Sequence, residues 1–238
     1  MQSQPAPVRN RLLASLPAEA LAAVMPKLRQ VPLVMRQLLY HQGGPIEATY
    51  FPEQGMVSMV TNLEEGMQAE VGLIGPEGML GVALLSGAET SFVESMVQMP
   101  GSGWRMAAAD FRREVEANTA FRMALLRYSE AMQAQVMQTA ACNGRHDLEQ
   151  RLARWLLMAH DRAGGDDLPL TQEFMAMMLG VHRPSITVTA GILQRAGLIR
   201  HVSGKVTVLD RPSLEAAACG CYAAVAERFA ALLGTAKG

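Results

Sequence analysis

The rhythm of apolar and polar positions changes three times along this chain. Between Arg11 and Arg29, Leu12, Leu13, Leu16, Leu21, Val24, Met25 and Leu28 recur at helical spacing and predict a short amphipathic helix. From about residue 33 to 106 the rhythm shortens. Runs such as "ATYF", "MVSMVTN", "MQAEVGLI" and "SFVESMVQM" alternate with "HQGGP", "PEQG", "NLEEG" and "IGPEG". Strand-length runs broken by glycine and proline turns every ten or so residues predict an antiparallel β-barrel or jelly roll.

From Ala108 to Ala163 there is one glycine, Gly144, and no proline, so long helix is expected, broken near "CNGRHD". Phe121, Leu125, Tyr128 and Met132 step by 4, 3 and 4 residues, a heptad-like seam that continues into the more polar Gln135 and Thr139. Such a stripe packs either on its own barrel or on the same helix of a second chain. Its length favours the second chain, and with it a symmetric dimer. "RAGGDDLP" (162–169) then reads as a linker.

Beyond the linker, "LGVHRPSITV" (179–188) sets a proline inside what otherwise looks like amphipathic helix. Proline in a helix interior costs about 3 kcal/mol. Thr171 followed by Glu173 is a helix start, Phe174 and Met178 share one face, and Gly180 supplies an exit. After Pro184 a new stripe of Ile186, Ala190 and Leu193 runs toward Gly197. In a first turn the missing N–H of proline has no partner to lose, so Pro184 opens a second helix. "LIRHVSGKVTVLD" then reads as two strands around Ser203-Gly204, with Lys205 near the tip. Helix, turn, helix, hairpin is a winged helix. A helical pair in an ordinary α-rich domain shows the same helix pattern without the hairpin and its charge.

Charge sharpens the division. The net formal charge of −1 conceals an acidic front: from Gln37 to Trp104 there is no lysine or arginine, against eight glutamates. Between Leu168 and Pro212 the balance reverses, with Arg183, Arg195, Arg200, Lys205 and Arg211 against Glu173 and Asp210. A basic reader beside an acidic front suggests two domains with different partners, the second being double-stranded DNA. No stretch approaches the roughly 20 apolar residues of a membrane span, and the N-terminus has no signal-peptide core, so a cytoplasmic protein with no membrane partner is expected. Three cysteines do not make a disulfide framework.

The whole chain resembles the Crp/Fnr superfamily of transcription regulators. The resemblance is carried by "LLYHQGGPIEATYFPEQGMVSMV" and "GLIGPEGMLGVALL" in the roll, by "HDLEQRLARWLLMAHDR", and most specifically by "LPLTQEFMAMMLGVHRPSITVTAGILQRAGLI". It implies an α+β chain: an N-terminal helical segment (1–30), a cyclic-nucleotide-binding-like β jelly roll (31–108), a dimerisation helix (109–143) and a winged helix-turn-helix domain (144–238). It also implies a homodimer on an inverted repeat, with RNA polymerase as a partner for which the sequence offers no local motif. By the same resemblance Arg183, next to His182, takes the place of the first base-reading side chain. Ser185 and Thr187 lie on the exposed side of that helix. Thr171, Gln172 and Lys205 match positions that hold the sugar-phosphate backbone. Where relatives often carry a glutamate and a second arginine in the recognition helix, this chain has Pro184 and Val188, so its target should differ from the best-known family sites.

The roll resists the family's cyclic nucleotide. Binders use an arginine on the phosphate and a glutamate on the ribose; here Val82 stands for the glutamate, and Val93-Glu94 falls near the arginine. A carboxylate there repels phosphate, and cyclic AMP is not expected as the effector, whose identity stays open. The family's iron–sulfur sensors use N-terminal cysteines, absent before Cys142, and His41 is a lone histidine by a turn, so no cofactor is expected. Cys142 and His146 share a helical face but supply only half a metal site, and no metal is expected; a small buried thiol and a capping histidine is the plainer account. Cys219-Gly220-Cys221 could act as a redox pair, although that spacing suits an unstrained disulfide poorly. Seventeen methionines read as core filler. No nucleophile elbow, phosphate-binding glycine loop or complete metal constellation suggests an enzyme. A roll-led scaffold whose C-terminal domain binds protein instead of DNA is the competing reading.

Overall fold

The computed structural model describes residues 8–64 and 68–234. The segment before Val8, and Glu65 of the acidic front, lie outside the described residues. The amino-terminal pattern becomes two helices, α1 (Arg11–Ala14) and α2 (Ala18–Val24), divided at Pro17, which has no N–H to continue the first. Asn10 caps α1 by accepting from the Leu13 N–H at 3.0 Å. Its amide donates to the Pro52 and Gly78 carbonyls at 2.8 Å each, which pins the helix to the sheet.

Five antiparallel strands follow: β1 (Arg29–Leu33), β2 (Leu38–Tyr40), β3 (Ala48–Asn62), β4 (Gln68–Ile74) and β5 (Glu94–Ala107). They pair in the order β1-β5-β3-β4, with β2 also on β5. "PEQG" is not the turn its composition suggests. β3 runs through it, shifting register between Pro52 and Gln54 and again between Gln54 and Met56. Gly55 takes φ +89° there, and a Cβ would sit 2.5 Å from the Met99 carbonyl oxygen, so this glycine serves a bulge.

Three helices come next: α3 (Ala108–Ala117), α4 (Thr119–Arg145) and α5 (Leu148–Ala163). The break near "CNGRHD" falls at His146 and Asp147. A second break, unmarked by glycine or proline, falls at Asn118, whose side chain accepts from the Phe121 N–H. The seam of Phe121, Leu125, Tyr128, Met132 and Gln135 is buried within this one chain and does not wait for a second copy. Tyr128 donates its hydroxyl hydrogen to the Met79 carbonyl at 2.8 Å, and the Gln135 amide donates to the Leu73 carbonyl at 3.0 Å. The roll is therefore the surface on which α4 folds.

The remaining elements are β6 (Asp167–Leu168), α6 (Gln172–Leu179), α7 (Arg183–Arg195), β7 (Ile199–Val202), β8 (Lys205–Val208), α8 (Arg211–Ala217) and α9 (Cys221–Leu233). "RAGGDDLP" is only partly a linker. Its Arg162 is a buried residue of α5, and its Asp167-Leu168 form β6, which joins the hairpin in the order β6-β8-β7. The last helix returns to α4: the Tyr128 and Phe229 rings meet edge to face at 6.4 Å, and Arg228 pairs with Glu130. One core unites the roll with α4 and α9. The other joins Met56, Leu73 and Met99 of the roll to Leu156, Ile186, Leu193 and Val206 of the carboxy-terminal half.

Candidate nucleic-acid interface

Local chemistry builds the reader. Thr171 accepts from the Phe174 N–H at 3.1 Å and caps α6, and Gly180, at φ +62°, ends it. Val181 and His182 make the turn. Arg183 and Pro184 occupy the first turn of α7, with His182 as its N-cap residue. Ile186, Ala190 and Leu193 are buried, which turns His182, Arg183, Ser185, Thr187 and Val188 outward to solvent. Ser203 and Gly204, both at positive φ, close the β7–β8 hairpin. A Cβ on Gly204 would touch the Thr171 methyl at 3.2 Å, so the hairpin tip abuts the start of α6.

The predicted contacts differ in their freedom. Arg183, Arg195 and Arg200 are exposed and form no ion pair among the described residues. Lys205 is exposed but bonded to Asp167 at 2.8 Å. Bonds from Lys205 and Thr207 hold the Asp167 carboxyl below the usual carboxylate range. Arg211, counted with the basic stretch, is committed elsewhere: it pairs with Asp161 and Glu215 at 2.7 and 3.0 Å. The Thr187 hydroxyl donates to the Gln172 Oε1 at 2.7 Å, so two of the expected contacts brace each other across the two helices. Val188 is 63% exposed, an apolar side chain on the reading face that charge and hydrogen-bond arguments overlook.

Two buried polar contacts join this reader to the roll. Arg162 and Glu77 pair at 2.7 Å, both buried. Trp155 Nε1 donates to Glu70 Oε1 at 2.7 Å, and the Ser58 hydroxyl donates to the other oxygen at 2.6 Å. Burial pushes the Glu70 carboxyl up to about 7, against the opposing pull of those two bonds and of the Arg162 and Arg154 charges.

Inside the roll, a cavity of about 310 Å³ lies beside Gly81, Val82, Phe92 and Val93 and reaches Met132 and Val136 of α4. Among the described residues, no charged side chain lines it. At the far end of α4, Cys142 and His146 meet Cys219 and Cys221, which the sequence holds more than 70 residues away.

Residues 30–118 match the model of the cyclic nucleotide-binding domain, and residues 150–217 match that of the Crp-like helix-turn-helix domain. Among solved structures, FixK2 from Bradyrhizobium japonicum superposes with a TM-score of 0.69 at 14% identity, covering 81% of this chain and 98% of that one. CLP, the c-di-GMP-responsive global regulator of Xanthomonas campestris, gives 0.66 at 16% identity over 81% and 99%. A transcriptional regulator of the CRP/FNR family from Thermus thermophilus gives 0.63 at 21% over 80% and 98%. At these identities the likeness is one of fold. No curated protein sequence matches the chain.

Proposed function

We propose that this chain, which belongs to the Crp/Fnr family of transcription regulators, works as a homodimer that reads an inverted-repeat operator with α7. The observation that carries this reading is an exposed Arg183, without an ion pair among the described residues, in the first turn of a helix whose opposite face is buried. An arginine so presented can grip guanine O6 and N7 through a bidentate fork. Val188 offers a methyl surface suited to thymine. Ser185, Thr187 and His182 supply further hydrogen-bonding groups, while Thr171, Gln172 and Lys205 suit the phosphate backbone.

Support for the dimer comes from the outer side of α4. Met123, Leu126 and Met137 are 44%, 46% and 64% exposed, and with Gln133 they repeat at heptad spacing. This second stripe is the surface on which α4 of another copy would lie, since the inner seam is already used.

The lining of the cavity in the roll supports a roll that does not answer to cyclic AMP. A phosphate held there is best met by a cation, and among the described residues no charged side chain lines the cavity. A cyclic AMP response is therefore not part of this reading.

Selection of bound duplexes from a random pool tests the proposal. The expected result is an inverted repeat with half-site centres about 34 Å apart, bound with a steep loss of affinity as salt rises. Failure to retain any duplex at low salt would overturn it in favour of a protein partner for the reader.

A further inference from the structure

We infer that Cys142, His146, Cys219 and Cys221 form a structural zinc site that fastens α9 to the end of α4. The four side chains come from two distant stretches. Cys142 and His146 stand one turn apart where α4 ends, with His146 as its C-cap residue. Cys219 and Cys221 flank Gly220 at the bend between α8 and α9. Their ligand atoms all lie within 4.8 Å of one another.

Two of the separations are those of a zinc tetrahedron. With zinc–sulfur bonds of about 2.3 Å and zinc–nitrogen bonds of about 2.0–2.1 Å, ligand atoms at its corners sit roughly 3.5–3.8 Å apart. Cys142 Sγ and Cys219 Sγ are 3.5 Å apart, as are Cys221 Sγ and His146 Nδ1. A disulfide needs its sulfurs at about 2.0 Å, and Cys142 and Cys219 stand as free thiols at 3.5 Å. Three thiols and one imidazole that converge in this way make a complete, closed set of the kind structural zinc takes.

The surroundings suit the charge. Zinc held by three thiolates and a neutral histidine carries a net charge of −1, the three thiol protons passing to solvent on binding. Gln138 Nε2 lies 3.0 Å from Cys221 Sγ and donates to it. Arg154, buried, donates to the Thr139 hydroxyl at 2.9 Å and keeps its Nε without a hydrogen-bond partner among the described residues. His146 binds through Nδ1, which leaves Nε2 as its N–H. The zinc would thus join the chain where it enters the reader to the chain where it leaves.

The test uses the full-length protein purified under reducing conditions. We expect one zinc per chain by elemental analysis, retained through dialysis. Cobalt substituted for zinc should give the thiolate charge-transfer and visible bands of a tetrahedral site. Cys221→Ser should abolish both. His146→Gln and Gln138→Ala, which leave the buried thiols in place, should bind zinc at least about tenfold more weakly while still unfolding cooperatively. Two results would overturn the site: a folded, reduced protein that takes up neither metal at stoichiometric concentration, or His146→Gln and Gln138→Ala variants with zinc affinity equal to that of the unaltered chain.

Discussion

Arg183 and Lys205 would meet the same ligand from different starting points. Arg183 stands free at the head of α7, so its guanidinium can turn to a base edge without giving up a partner. Lys205 must first exchange Asp167 for a phosphate. Arg183→Ala should therefore remove discrimination at one base pair in each half-site, worth about 1–3 kcal/mol. Lys205→Ala should weaken all duplexes alike and lower the salt slope by about 1. Anisotropy titrations against a panel of single-base variants check both, and equal losses at every sequence for Arg183→Ala would remove its base-reading role.

At the scale of elements, α4 carries two heptad stripes, and they compete for one explanation. The inner stripe is the more apolar and attracts the dimer reading, yet it is spent on the roll. The outer one, with Met123, Leu126 and Met137, is left exposed. The pair Leu126→Glu and Met137→Glu should leave the roll folded and convert a dimer into a monomer in sedimentation velocity, with loss of binding to the full inverted repeat. The reader's helices and hairpin are legible in the sequence because each boundary is written locally: the Thr171 cap, Gly180, Pro184, Ser203-Gly204. What cannot be read there depends on partners far along the chain. Which stripe of α4 faces inward is decided by contacts such as Tyr128 with Met79, 49 residues away. "PEQG" looks like a turn because a bulged strand uses the same glycine that a turn would. Arg162 reads as linker until Glu77, 85 residues earlier, supplies its carboxylate. A separation of 77 residues likewise hides Cys219 from Cys142.

The whole molecule is held together by the second core and the two polar contacts set within it. Arg162→Ala strands the Glu77 carboxylate in a buried site, and a loss of about 3 kcal/mol is expected in urea unfolding. Adding Glu77→Gln in the same chain should recover part of it. Glu70 adds a pH dependence whose sign follows from its raised value. The folded state holds the proton more tightly than the unfolded chain, so this contribution to stability is complete below about 4.5 and is lost as pH rises through about 7. Asp167 and Asp210, held low by Lys205 with Thr207 and by Ser213, act in the opposite sense, but only below the ordinary aspartate range. Melting temperature should fall between about pH 4.5 and pH 7, and Glu70→Gln should flatten that fall.

The chain passes into the reader at His146 and Asp147 and out of it near Ala218 to Gly220, and side chains from the two crossings touch. A body tied by a single thread can tumble in any direction. One carried on two neighbouring pins behaves as a door: it sweeps an arc about the line through the pins and resists both twisting and drifting away. Two neighbouring crossings therefore restrict the directions in which the reader can turn against the roll, as the shared core and its buried ion pair also do.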